Sequence, residues 1–427
     1  MWTQILEQLL FALVLFKIAI HYWWIYVPVT VFFVFKSLWI FYLEGLYSAK
    51  PRNSGMLLEI KMPREIRKSP KAMEQFLCNI YNTKSGRGFI EKWWFGKALL
   101  KFSLEVVSMG GEVHFYIRTP RKFRNIVEAN LYAQYQDLDI SEVEDYINEF
   151  PESFDEVSNM GFNLWGTELM LGKSDVYPIR TYVEFESPDE DKSLDPVSAL
   201  LEILTKSKKE DRIWIQLLIL PASPDWKDAS KEALEDIRKD AERKMTTTMG
   251  EEERVMTSTQ LTPGQRDVME AIEQNVAKVG FNTTIRIVYL APRDTFDDSL
   301  ANKGVRAAFN QYGTQNLNYF TKNRDKDTDE FLYFFRKWRL KDRKKKIYFD
   351  YRTRNMKESS FMGELITSLP FHFAFTNNPP VLNVEELATI YHFPTFLVLT
   401  APMLRRVESK RIGPPAGLPI FGSENEK

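Results

Sequence analysis

The chain has 427 residues, with 57 Lys+Arg against 58 Asp+Glu and a formal charge of −1. A balance that close excludes a global bias toward nucleic acid or any other polyanion, so such binding would need a local patch. At roughly 100–200 residues per domain the length points to two or three units, each able to bury a core, and the lone Cys78 excludes an internal disulfide framework.

Between Ile5 and Tyr47 the only formally charged residues are Glu7, Lys17, Lys36 and Glu44. Crossing a hydrocarbon layer takes about 20 apolar residues, and Trp23 to Tyr47 supplies them with aromatics near both ends. Residues 1–52 are therefore expected to form a membrane anchor. The shorter run Ile5 to Tyr22 carries Lys17 and reads as a second span, an interfacial helix or a signal-like segment. We favour a hairpin with its turn at His21-Tyr22-Trp23-Trp24 and with Pro28 in the first turn of the second helix. Lys36 could snorkel, face a partner helix or pair with another charge. Lys50, Arg52, Lys61, Arg64, Arg67, Lys68 and Lys71 crowd the segment after the anchor, which predicts a body on the cytoplasmic side.

Residues 53–150 read as strand, helix, hairpin, helix, strand. Gly55 to Met62 is a strand stopped by Pro63, and a helical pattern runs from Ser69-Pro70 to Tyr81, with Cys78 as a buried spectator. Trp93-Trp94, in the following loop, reads as packing. Leu99 to Met109 and Glu112 to Arg118 alternate around Gly110-Gly111, a hairpin signal. Thr119-Pro120 opens a second helix that leads into Leu138 to Val143. This is the βαββαβ order of a ferredoxin-like unit.

Residues 151–320 suggest the same order again, giving an α+β chain of two ferredoxin-like units. Its strands are expected at Ile179–Glu186, Ile213–Leu220 and Thr284–Leu290, and its helices at Asp195–Ser207 and Ser299–Phe309. A polar insertion, about 225–280, reads as a helical hairpin around a Met/Thr-rich break at Met245 to Met249. Its second helix opens at Thr262-Pro263-Gly264-Gln265 with a capping box.

Residues 321–412 hold the densest charge. The segment Phe331 to Lys346 combines the aromatics Phe331, Tyr333, Phe334, Phe335 and Trp338 with Arg336, Lys337, Arg339, Lys341, Arg343, Lys344, Lys345 and Lys346. Three readings rank in this order: a solvated helix face, a patch for anionic lipid headgroups, and a nucleic-acid contact. Asp325, Asp327, Asp329 and Glu330 stand nearby and offset the field.

No phosphate-cradling loop occurs, and His21, His114, His372 and His392 are scattered without metal spacing. No catalytic, cofactor-binding or metal-ligating set is identified, and the chain reads as a non-enzyme. Near the C-terminus Asn383 is placed to cap a short helix, Glu386 completes the capping box and Pro394 ends it. Residues 413–427 form a linker-like tail.

Together with Leu58-Glu59-Ile60-Lys61-Met62-Pro63, Gly111-Glu112-Val113-His114-Phe115-Tyr116-Ile117-Arg118 and Val127-Glu128-Ala129-Asn130-Leu131-Tyr132-Ala133-Gln134-Tyr135, the segment Leu382 to Pro394 resembles an uncharacterised bacterial family from the candidate phyla. In its long forms a membrane anchor and a similar cytoplasmic region precede a DNA-translocase ATPase of type IV secretion or conjugation type. This sequence stops at Lys427, where that ATPase would start. The resemblance implies a bacterial inner-membrane protein facing the cytoplasm that serves as a non-catalytic assembly or docking component. Its implied partners are the bilayer, a separate translocase ATPase, secretion-channel subunits and further copies of itself. Asn383, Glu385, Glu386 and Leu387 are the candidate docking residues, and residues 336–346 are the candidate contact for anionic lipid or nucleic acid.

Overall fold

The computed structural model describes residues 21–63, 68–84, 86, 88–186, 194–249, 252–259, 261–329, 336–356 and 379–395. The chain divides into two compact units, residues 1–54 with 85–100 and residues 55–84 with 101–427.

In the first unit, helix α1 (Trp23–Ser48) is apolar on every side and none of its most apolar window is buried. Its 26 residues make it about 39 Å long at 1.5 Å per residue, enough to cross a membrane with turns to spare. Pro28 lies beyond the first turn, where its ring removes the hydrogen bond to Trp24. The expected turn at residues 21–24 is instead the start of α1, capped from Tyr22, and the shorter run before it lies outside the described residues. A short helix, Phe89–Trp93, rests on α1: Trp39 Nε1 donates to the Trp93 carbonyl at 3.3 Å, and the Lys36 ammonium sits 4.4 Å from the Trp93 ring centroid.

The second unit is built on one sheet, nine-stranded among the described residues and antiparallel at each pairing. Strand β1 (Gly55–Lys61) leads to helix α2 (Lys71–Tyr81), which buries Met73, Phe76, Leu77 and Ile80 on one face. Strands β2 (Phe102–Met109) and β3 (Glu112–Pro120) close a two-residue turn. Gly110 and Gly111 there have φ of 62° and 91°, the left-handed region that tight hairpins need. Helix α3 (Arg124–Gln134) and edge strand β4 (Asp139–Val143) complete this half. Its spatial order is β2-β3-β1-β4.

Helix α4 (Phe154–Asn159) precedes the second half, whose first strand is β5 (Phe162–Leu171). The expected strand at 179–186 is not formed. Backbone groups there are taken by other partners: Ile179 N–H donates to Glu386, Arg180 N–H to the Tyr312 carbonyl and Tyr182 N–H to Thr389, so no ladder edge is left. Helix α5 (Ser198–Thr205) and strand β6 (Arg212–Pro221) follow as expected. The insertion holds helices α6 (Ala229–Asp240) and α7 (Pro263–Ala277), but strands β7 (Glu242–Met249) and β8 (Glu252–Thr259) lie between them. The Met/Thr-rich stretch is thus a β-hairpin and the insertion is not all helical; its β-branched residues suit paired strands better than a helix. The Thr262–Gln265 capping box is present. Strand β9 (Gly280–Pro292), a π-helical turn at Leu300–Val305 and strand β10 (Phe320–Lys322) finish the half in the order β10-β5-β9-β6.

Counted along each half, both orders read 4-1-3-2. The halves meet where β2 and β6 pair from Phe102–Ile219 to Met109–Arg212, so the expected boundary near residue 150 separates two halves of a single sheet. Helix α8 (Arg336–Arg352), strand β11 (Val381–Asn383), which pairs with β9, and helix α9 (Val384–Ile390) complete the described chain. The core lies on both faces. One side packs α2, α3, α5, α9 and the helical turn; the other packs Tyr146 to Val157 and α8 over Leu57, Val107, Trp214, Val288 and Leu290.

Candidate functional site

A row of polar residues crosses the face covered by α8. Register pairs run from Ser141 to Glu59, to Tyr116, to Glu105, to Gln216, to Arg286 and to Glu168, through seven adjacent strands. Side chains two apart share a face of a strand, so each strand adds one residue to the row. Glu59, Glu105, Gln216, Arg286 and Glu168 are all buried. A buried charge is tolerated when it is paired and hydrogen-bonded, and these are. Arg286 Nε donates to Glu168 Oε1 at 2.6 Å, and its Nη1 donates to Gln216 Oε1 at 3.3 Å and to the Asp350 carbonyl at 3.0 Å. Lys326 stands 3.8 Å from Glu168 and 3.5 Å from Asp350.

Glu105 is the hub. It receives Arg354 at 2.7 and 3.1 Å, Tyr146 O–H at 2.8 Å, Ser103 O–H at 2.5 Å and Gln216 at 3.3 Å. Burial by itself would raise its pKa, but Arg354 and the other donors outweigh burial and hold it below the ordinary carboxylate range. Arg354 also grips Asp145 through two bonds of 2.7 and 3.0 Å. At the far end of the row, His114 Nδ1 lies 2.9 Å from Glu59, and its ring stacks on Tyr116. His114 is thus a buried strand histidine with its hydrogen bond satisfied.

The sequence reading did not find this row. A charge within an apolar strand such as Phe102–Met109 reads as an outward-facing residue by alternation, and only the covering layer makes that face interior. Several polar residues aligned mid-strand would have been the signal.

The basic segment falls on α8 from Arg336 onward; residues 330–335 lie outside the described residues. Much of its charge is engaged within the chain. Arg343 is buried and donates to the carbonyls of Asp327 and Asp329; Lys344 donates to Asn163; Lys341 and Lys345 both pair with Asp155. Arg339 and Lys346 are half-buried, while Arg336 and Lys337 are exposed. Trp338 and Phe349 project outward at 71% and 57% exposure.

The candidate docking residues turn inward. Asn383, Glu386 and Leu387 are buried, and Glu385 pairs with Lys278. Asn383 and Glu386 form the expected capping box, each backbone N–H donating to the other side chain at 2.8 Å. Asn383 also donates to Asn275 at 2.7 Å. These contacts hold α9 to the body, so three of the four offer no surface to a partner. Burial and the nearby carboxylates of Asp175 and Glu385 raise Glu386 to about 8, against the backbone bonds from Asn383 and Ile179. His392, also buried, faces Asp195 at 3.0 Å and the Ala388 carbonyl at 2.8 Å. Burial would raise Asp195, yet His392, Thr395 and Val197 bring it down to about 2.

Cys78 is half-buried against the core, with its thiol pKa raised chiefly by burial. Trp94 does not pack as the sequence suggested: it is 78% exposed, beside a Trp93 that carries the contacts to α1.

No curated protein matches the chain. The family model described as "Domain of unknown function (DUF8128)" matches residues 46–356, from the end of α1 to just past Arg354, and the chain belongs to that family.

Proposed function

We propose that this protein is a membrane-tethered assembly component whose body has a structural rather than a catalytic role. The observation that carries the reading is the combination in one chain of α1, an apolar helix with none of its most apolar stretch buried, and a body whose central ionic groups are committed to one another across the sheet. Glu105, Arg286, Arg354 and Glu168 hold the covering layer in place, and a paired group of this kind is poorly suited to exchange protons with a substrate. The 4-1-3-2 order in each half supports a reading as two ferredoxin-like units joined edge to edge. Lys50, Arg52 and Lys68, flanking α1 and the first strand, favour a cytoplasmic body. The resemblance to the regions that precede translocase ATPases supplies the partner to look for. Crosslinking of the tagged full-length protein in native membranes, followed by identification of captured proteins, tests this. Recovery of a translocase ATPase with channel subunits supports a docking role, whereas recovery of metabolic enzymes acting on a common small molecule would overturn it.

A second reading has its own observation: Arg336 and Lys337 are exposed beside Trp338, a composition that binds nucleic acid by phosphate contact and stacking. Salt-dependent DNA retention lost in R336E/K337E would favour it; no retention at low salt would remove it.

A further inference from the structure

The loop between α2 and β2 carries four large apolar side chains that the protein leaves in solvent: Phe89, Ile90, Trp94 and Phe95 are 75%, 67%, 78% and 64% exposed. Soluble surfaces rarely cluster such residues. The described residues of the loop are nonetheless tied together by contacts of their own. Glu91 caps the short helix by accepting the Gly88 N–H at 3.0 Å and pairs with Lys97 at 2.9 Å, and Lys97 also donates to the Gly86 carbonyl. Gly96 has φ of 56°, and a Cβ there would collide with Leu43 of α1. Trp93 meets Lys36 and Trp39 of α1. The loop therefore lies along the helix from Lys36 to Leu43, and its exposed aromatics continue the apolar surface of α1.

We propose that residues 88–97 are a second membrane-inserted element, seated in the boundary between hydrocarbon and headgroups, with Phe89, Ile90, Trp94 and Phe95 in contact with lipid. This rests on the reading of α1 as a membrane anchor. If a span of about 20 residues starts at Trp23, it ends near Tyr42, two residues before the charge of Glu44 and level with Leu43 and Gly96. That depth is where tryptophan is most favourable, its ring apolar and its N–H polar. The same loop explains Lys36, whose ammonium lies over the Trp93 ring where lipid would otherwise surround it. The partner is the bilayer itself, and the body is held to it at two points.

The test uses the full chain with C78A and one new cysteine, at L38C, I90C, F95C or E273C, labelled with an environment-sensitive fluorophore. Each variant is reconstituted into phosphatidylcholine–phosphatidylglycerol vesicles with or without brominated acyl chains. Because Ile90 and Phe95 are exposed, their replacement leaves the core intact, and two sites guard against failure of one. The expected result is quenching by brominated lipid at positions 38, 90 and 95, with position 273 quenched by aqueous iodide alone. Quenching at 38 with iodide access at 90 and 95 would overturn the second element while leaving the anchor standing. Shielding of 90 and 95 from both quenchers would overturn it in favour of a protein occupant such as a second copy. Absence of lipid quenching at 38 would remove the anchor and the proposal together.

Discussion

The guanidinium of Arg354 grips both carboxylate oxygens of Glu105, at 2.7 and 3.1 Å, across 249 residues of sequence. Arg354 does so with φ of 49°, a left-handed conformation normally left to glycine after a helix, here at the end of α8. The backbone tolerates it because the side chain is fixed by Glu105 on β2 and by Asp145. Together with Arg286 and Gln216, which donate to the carbonyls of Asp350 and Tyr351, Arg354 holds α8 over the polar row.

R354A should therefore be among the most damaging single changes, costing about 3–5 kcal/mol, since it leaves Glu105 charged, buried and without its counter-ion. Urea unfolding measures the loss. The double variant E105Q/R354M should lose less than the sum of the two single losses, because neither charge remains to be stranded. Additive losses would show that the pair is not coupled.

Arg286 offers a second test of the same row. R286M removes the nearer counter-ion of Glu168, leaving Lys326 at 3.8 Å, together with the donor to Gln216 and the Asp350 carbonyl, so it should destabilise by several kcal/mol. E168Q/R286M should recover part of that loss. Hydrogen exchange should rise most at α8, which rests on these groups.

Glu386 predicts a pH dependence. Its pKa is raised to about 8 in the folded chain, so folding binds a proton, and its contribution is complete below the ordinary carboxylate range. Stability is then lost as pH rises toward about 8 and just beyond. The urea midpoint should fall as pH rises from the ordinary carboxylate range to about pH 8 and level off above it, and E386Q should flatten that slope. An unchanged slope in E386Q would assign the effect to another group.

Asp195 has the opposite sign. Held down to about 2 by His392, Thr395 and Val197, it contributes above the ordinary carboxylate range and loses that contribution as pH falls toward about 2. D195A should cost about 3 kcal/mol and loosen residues 391–395, which amide exchange of that segment would report.

N383A should cost about 1–2 kcal/mol, because it removes a helix cap together with the buried bond to Asn275. N383D, which keeps the cap and loses the donor, separates the two contributions by thermal melting.

The elements legible in the sequence were those set by neighbours in the chain. The hairpin around Gly110-Gly111, the amphipathic α2 and the capping boxes at Thr262 and Asn383 depend on spacing, turn geometry and local hydrogen bonds, and they stand where those rules put them. So does the apolar length of α1. Other features depended on contacts made far along the chain. Residues 179–186 have strand character, yet Glu386, Thr389 and Tyr312 take their backbone groups first. Lys344 and Arg343 read as free surface charge until β5 and the loop before α8 come to meet them. Glu105, Gln216 and Arg286 alternate as solvent-facing residues would, and a second layer alone turns their face into an interior. Periodicity marks which residues share a face; what covers that face is decided by packing, and packing here made the polar side of the sheet a buried ionic row.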